Sequence, residues 1–170
     1  MVTAERSTTV GEILLSQAGS LLLLVGIASS LILLSSVGRP IGASSKNLVL
    51  FSQALPFVLL TYCFVTDARS IELVYRFGGD DLPLFYRVSA VWSSRSGPLL
   101  LWAAMMAIVT RLMSNKEHVV SVEVAIMHAW TAFLLVLSAM LGPFESTISS
   151  TSSGLNPLLQ TDLMVIHPPV

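Results

Sequence analysis

Four runs of apolar residues constrain this chain more than any other feature of its sequence. They cover about residues 13–37, 48–66, 98–113 and 119–141. An α-helix needs roughly 20 apolar residues to cross the hydrocarbon of a bilayer, and these runs are close to that length or longer. Within hydrocarbon, every backbone N–H and C=O must find its partner inside the protein, so such runs read as helices. Composition agrees: 54% of the 170 residues are hydrophobic and 11% are charged, far from the balance of a soluble domain. The expected fold is therefore all-α, a polytopic integral membrane protein whose first partner is the lipid bilayer. The membrane-spanning region is expected over residues 1–145, with a polar linker and C-terminal segment over 146–170.

The first run is rich in leucine with interspersed serine and glycine, and the second contains Pro56. A proline inside a helix kinks it and frees one carbonyl, which lipid tolerates only where a neighbouring helix or water compensates. The third run is short unless Val88–Val91 extends it, and the fourth ends at Gly142-Pro143, a stop signal. The spacings Gly19…Gly26 and Ala103-Ala104…Ala107 suit close helix contacts. The segment 38–47 carries Arg39 and Lys46 and no acid, and the turn after the third run carries Arg111 and Lys116 beside the single Glu117. Short basic loops stay on the side where translation occurs. That puts both termini, the mixed-charge loop 67–97 and the tail on the far side, which is the periplasm or the intermembrane space. The start, MVTAERSTTVGE, is neither a basic signal peptide nor an arginine-rich presequence. Either insertion through the first helix or synthesis in the compartment of action is expected.

Several classes of chemistry are excluded. The net charge of −1 and the scattered nine Lys and Arg residues give no basic stripe for nucleic acid. Cys63 is the single cysteine, which rules out an internal disulfide, a CxxC pair and a structural zinc site; in an apolar run it reads as a small buried hydrophobe. There is no phosphate-binding glycine loop, no HExxH, no GxSxG and no carboxylate pair within a membrane helix. No catalytic residue is expected.

Three histidines and three tryptophans remain. His167 follows the apolar run Leu163–Ile166 and precedes Pro168 and Pro169. The prolines fix their own φ and push His167 towards an extended conformation, which suits an axial ligand to haem iron or another metal. By residue type alone, a turn histidine meeting water is the more common case. His128 lies within the fourth run, where an ionisable group is a cofactor ligand or a proton carrier; a neutral ring bonded to a neighbouring helix is the commoner alternative. His118 sits in a charged turn and reads as solvated. Trp92 and Trp102 bracket WSSRSGPLLLW. They read either as interfacial anchors or as walls for a flat apolar ligand, with Arg95 available to a carboxylate. The run from Ser146 to Gly154 is a low-complexity polar linker.

Four stretches, in order, resemble the CcmF family, the membrane haem lyase subunit of system I cytochrome c maturation. LPLFYRVSAVW (Leu82–Trp92) is similar to the family's LPLYYK-x-x-x-W, and WSSRSGPLLLW (Trp92–Trp102) to its W-x-x-HEGS-x-LLW. GPFE (Gly142–Glu145) is similar to its NPFE, and GLNPLLQTDLMVIHPP (Gly154–Pro169) to its LNPLLQ…HPP. The last is the longest and the hardest to obtain by chance. The likeness runs from about Phe51 onwards, with only hydropathy matching before it. Arg95-Ser96 stands where the family has His-Glu, and Pro98 where it has Ser. The tryptophan-rich WWD signature and the segments carrying the family's intramembrane haem ligands are absent from residues 1–170.

The resemblance implies that His167 is an axial ligand of a haem displayed at the WWD surface, and it shifts the balance from turn histidine to metal ligand. It implies Trp92 and Trp102 as further haem-binding residues and haem as a cofactor shared with a partner subunit. The implied reaction joins haem vinyl groups to the two thiols of a CxxCH motif in apocytochrome c. The implied partners are haem lyase fragments bearing the WWD segment, a haem chaperone and apocytochrome c. The chain would contribute a wall and one ligand, and would not be catalytic alone. A family member ending at HPP implies a split version in the mitochondrial inner membrane, with the bacterial plasma membrane as the alternative. Two other readings compete. One is a structural membrane subunit of a larger, respiratory assembly that has lost haem-lyase chemistry; the other is a small transporter, weakened by the scarcity of intramembrane charge.

Overall fold

The computed structural model describes residues 10–79, 81–116 and 118–147. Four long helices form the body: α1 (Val10–Leu34), α2 (Ala43–Val65), α5 (Ser96–Met113) and α6 (Val122–Met140). All four are long and apolar enough to cross a membrane. Two short helices, α3 (Glu72–Phe77) and α4 (Leu84–Ala90), and a single 3₁₀ turn (Val91–Ser93) lie between α2 and α5. The described residues contain no strand, so the chain is an all-α polytopic membrane protein, as expected.

Around the bundle, α1 packs on α2 and α6, and α5 packs on the same two helices, leaving α2 and α6 on a diagonal. Small residues sit where helices approach closely. Ala103, Ala104 and Ala107 are buried on α5. Pro56 cannot donate to the carbonyl of Ser52, four residues earlier in α2. That carbonyl faces Gly26 of α1, where an added Cβ would lie 2.8 Å from the oxygen. The two hydroxyls of Ser29 and Ser52 lie 2.8 Å apart beside it. A neighbouring helix without a side chain thus covers the carbonyl that the proline releases. Gly26→Val is expected to push α1 off α2 and to destabilise the chain by about 1–3 kcal/mol; thermal unfolding in mild detergent measures it, and an unchanged Tm would mean that α1 is not held there.

Helix ends are set by local hydrogen bonding that hydropathy does not report. α1 stops at Leu34, short of Val37, because the hydroxyls of Ser35 and Ser36 bond back to the Ile32 carbonyl and Gly38 turns the chain with φ +76°. α6 starts at Val122, later than 119, because Ser121 caps it by accepting from the Val124 N–H. Val119 and Val120 instead pair with the other short loop: Gly38 N–H donates to the Val120 carbonyl at 2.8 Å and Val120 N–H to the Arg39 carbonyl at 3.0 Å. At the opposite end, α6 closes on Gly142 with φ +58°, the left-handed cap that glycine supplies most readily. α5 begins at Ser96, so Pro98 falls in the first helical turn, where its missing N–H costs nothing.

The long segment after α2 is more ordered than a loop. Asp67 takes a left-handed φ of +51° just after α2, and its carboxylate accepts from Arg69 Nε at 2.6 Å. Ile71, Val74, Ala90 and Val91 are fully buried in one cluster with Leu60, Phe64, Leu100 and Phe144. The chain turns between α1 and α2 and between α5 and α6 lie together at one end of the bundle, as their pairing requires. Residues 66–95 and 141–147 share the other end, where Ile71 bridges to Ser146.

Candidate functional site

The end of the bundle formed by residues 66–95 and 141–147 gathers most of the charged side chains among the described residues. A cleft of about 440 Å³ opens between α3, the start of α5 and the turn after α6. Glu72, Arg76, Arg95, Ser96 and Glu145 contribute its polar lining. Arg76 pairs with Glu72 one helical turn away, at 2.6 Å. Arg95 caps the start of α5 in helical geometry and is exposed. Ser96 is buried, and its hydroxyl has no hydrogen-bond partner among the described residues. The cleft thus sets two guanidinium groups and two carboxylates around the buried Ser96 hydroxyl, with exposed Arg95 at its rim.

The chain after α6 is fastened beside this cleft. Phe144 is 1% exposed and stacks over Gly19 of α1. The Phe144 carbonyl accepts from the Ser16 hydroxyl, the Glu145 carbonyl from the Glu72 N–H at 2.9 Å, and the Ser70 carbonyl from the Thr147 N–H at 2.8 Å. The Pro143–Thr147 stretch therefore crosses from α6 to α1 and α3. His167 lies outside the described residues.

The tryptophans occupy different surroundings. Trp92 sits in the 3₁₀ turn, half-buried against the main apolar cluster. Trp102 lies on the outer surface of α5, 54% exposed, beside Met106 and the α6 residues Trp130 and Leu134. At 1.5 Å per residue, Trp102 stands about 9 Å deeper along α5 than Ser96, and it does not line the Arg95 cleft. Sequence reasoning singled out Arg95 but missed Glu72 and Arg76. Their i,i+4 spacing was the available signal, within a segment read as loop.

His128 is buried, and a neighbouring helix does bond it: Gln53 Nε2 of α2 lies 3.0 Å from His128 Nδ1 and 2.8 Å from Ser30 Oγ of α1. His118 is exposed in the turn before α6, and Cys63 is buried and free. No group of three or more metal-ligating side chains occurs among the described residues.

No family model and no solved structure matches the chain with significance. Several characterised proteins do. The cytochrome c-type biogenesis protein ccl1 of Rhodobacter capsulatus is 32% identical over 127 residues, 68% of this chain and 19% of that protein. The cytochrome c-type biogenesis protein CcmF of Escherichia coli is 31% identical over 132 residues, 72% of this chain and 20% of that protein. NrfE of Haemophilus influenzae, also a cytochrome c-type biogenesis protein, is 28% identical across 92% of this chain and 28% of its own length. The chain thus spans between about a fifth and a little over a quarter of the length of these relatives. With that much shared sequence on a bundle of four membrane-spanning helices, the chain is a homologue of the CcmF-type cytochrome c-type biogenesis proteins and matches one part of their length.

Proposed function

We propose that this chain acts in cytochrome c maturation as part of a haem lyase, holding haem at the end of the bundle where α3, the start of α5 and the Pro143–Thr147 stretch meet. The observation that carries the reading is the fastening of Pro143–Thr147 beside a cleft with two arginines. Thr147, fastened beside that cleft, is the residue from which the sequence runs on towards His167. Haem is a flat apolar ring with two propionates. His167 would ligate its iron, Arg95 and Arg76 would meet the propionates, and Trp92 would support the turn that presents Arg95. Trp102, on the outer surface of α5 beside Trp130 and away from this cleft, serves instead as a contact for lipid or for a neighbouring helix. A partner bearing the WWD segment, which residues 1–170 do not contain, would complete the haem site. Apocytochrome c and a haem chaperone are then the partners, on the periplasmic or intermembrane-space side. When bound, haem supplies the vinyl groups that thiols attack, and this chain's task is to hold and orient them.

The test is the haem spectrum of the assembly purified in mild detergent, with co-purifying chains identified by mass spectrometry. His167→Ala is expected to lose the haem signal of this site. Arg95→Ala is expected to weaken haem binding about ten-fold or more, the worth of one charge-assisted hydrogen bond. Unchanged spectra in both variants, with respiratory subunits as companions, would replace this reading with the structural one.

A further inference from the structure

A second polar site lies inside the bundle, far from the cleft at α3 and independent of any haem. Ser30 of α1, Gln53 of α2 and His128 of α6 form one hydrogen-bonded chain across three helices, all three of them at least 95% buried. The donors and acceptors of this chain can be assigned by elimination. Ser30 Oγ donates to the Gly26 carbonyl at 2.8 Å, so its one proton is used and it accepts from Gln53 Nε2. The second proton of the same amide nitrogen is then directed at His128 Nδ1, which must accept. The ring is neutral in this arrangement, with its proton on Nε2. Gln53 Oε1 has no hydrogen-bond partner among the described residues.

Gln53 and His128 both line a narrow cleft that reaches the end of the bundle where the short basic loops lie. It holds about 20 Å³ of free space, room for one water molecule and too little for phosphate or an organic ligand. The groups facing it from each helix are few. α2 adds Lys46 and α5 adds Thr110 and Arg111, while α1 adds only Leu33. Lys46 is buried and donates to the Ser114 carbonyl just past α5, and Arg111 donates to Asn47 Oδ1 at 2.7 Å. No acidic side chain among the described residues lines the cleft.

We propose that His128 is a proton-binding site, supplied by water through this cleft from the basic-loop end, and that Gln53 is the group that responds to its charge. Taking up one proton from water leaves an N–H on both ring nitrogens and a positive charge on the ring. Nδ1 then donates, so Gln53 must turn its amide to present Oε1. Ser30 faces the same carbonyl oxygen or loses its partner, and its bond to Gly26 competes with the new one. Because Gly26 and Ser29 form the tight α1–α2 contact, the charge on α6 is felt at that contact.

Hydrogen–deuterium exchange at the imidazole carbon between the two nitrogens tests this directly. That exchange needs both water at the ring and a protonated imidazole, and peptide mass spectrometry reads it in the intact chain in nanodiscs. The His128 peptide is expected to take up deuterium with a sigmoidal dependence on pH, with exposed His118 as the internal reference. Exchange at His118 with none at His128 across the accessible pH range would overturn the proposal. Gln53→Glu places a carboxylate against Nδ1 and is expected to move the pH of half-maximal exchange to the alkaline side by about one unit or more. An unmoved midpoint would remove Gln53 from the mechanism. The wild-type measurement stands even where that variant does not fold.

Discussion

Phe144→Ala is expected to destabilise the chain by about 3–5 kcal/mol, the range for emptying a buried phenylalanine site, and to lower its Tm by on the order of 10 °C. Phe144 is almost wholly excluded from solvent and belongs to the main apolar cluster. Its ring fills the notch left by Gly19, where even a Cβ would collide with it. Neither helix can collapse into the gap, because the backbone on both sides of the ring is tied: Ser16 to the Phe144 carbonyl, Glu72 to the Glu145 carbonyl. The cavity term therefore adds to the lost burial. Phe144→Leu, which keeps most of the apolar volume, is expected to recover more than half of the loss. Limited proteolysis gives the second readout, since cleavage after Glu145 should accelerate in Phe144→Ala well below its Tm. Equal cleavage rates in wild type and variant would mean that Phe144 does not anchor the tail, and would remove the support that the GPFE turn lends to the proposed haem site.

How much of this was legible in the sequence differs between the bundle and its ends. The four spans were legible because the bilayer imposes a length and a composition on each helix, and no tertiary information is needed to read either. Helix ends were less so. They depend on side chains that bond to nearby backbone, as Ser35, Ser36 and Ser121 do, and on pairing between loops distant in sequence, as at Pro40 and Val119. α3 and α4 escaped notice because six or seven residues carry too few turns for a periodic pattern; they are held by burial of Val74 and Ala90 against α2 and α5, not by propensity. The same cause hid Glu72 and Arg76. Arg95 stood out through its place between Trp92 and Trp102. Gln53 could not be linked to His128 from sequence, because 75 residues separate them and only the diagonal packing of α2 and α6 brings them together. Motif resemblance supplied the family. The site's geometry needed the fold.

Gly97→Val is expected to cost at least as much as the usual 1–3 kcal/mol of an overpacked core, because the obstacle is backbone. An added Cβ at Gly97 would collide with the carbonyl of Val91, and a main-chain oxygen cannot turn aside as a side chain can. The oxygen is fixed from two directions. Val91 is fully buried, and its carbonyl accepts from the Ser94 hydroxyl at 3.1 Å while that same hydroxyl receives the Gly97 N–H at 3.1 Å. Relief therefore requires α5 to slide away from the 3₁₀ turn, which would also stretch the bond from the Ser138 hydroxyl of α6 to the Ser96 carbonyl. Trp92, Arg95 and Ser96 ride on this junction, so the displacement should be visible at the proposed site before the chain unfolds. A protein keeping Trp92 alone, with Trp102 and Trp130 changed to phenylalanine, reports it by fluorescence. Gly97→Ala is expected to red-shift Trp92 emission and lower Tm, with Gly97→Val failing to accumulate as folded protein. An alanine variant with wild-type Tm and emission would show that the turn yields freely, and that glycine at this position is not what sets the approach of α5 to Val91.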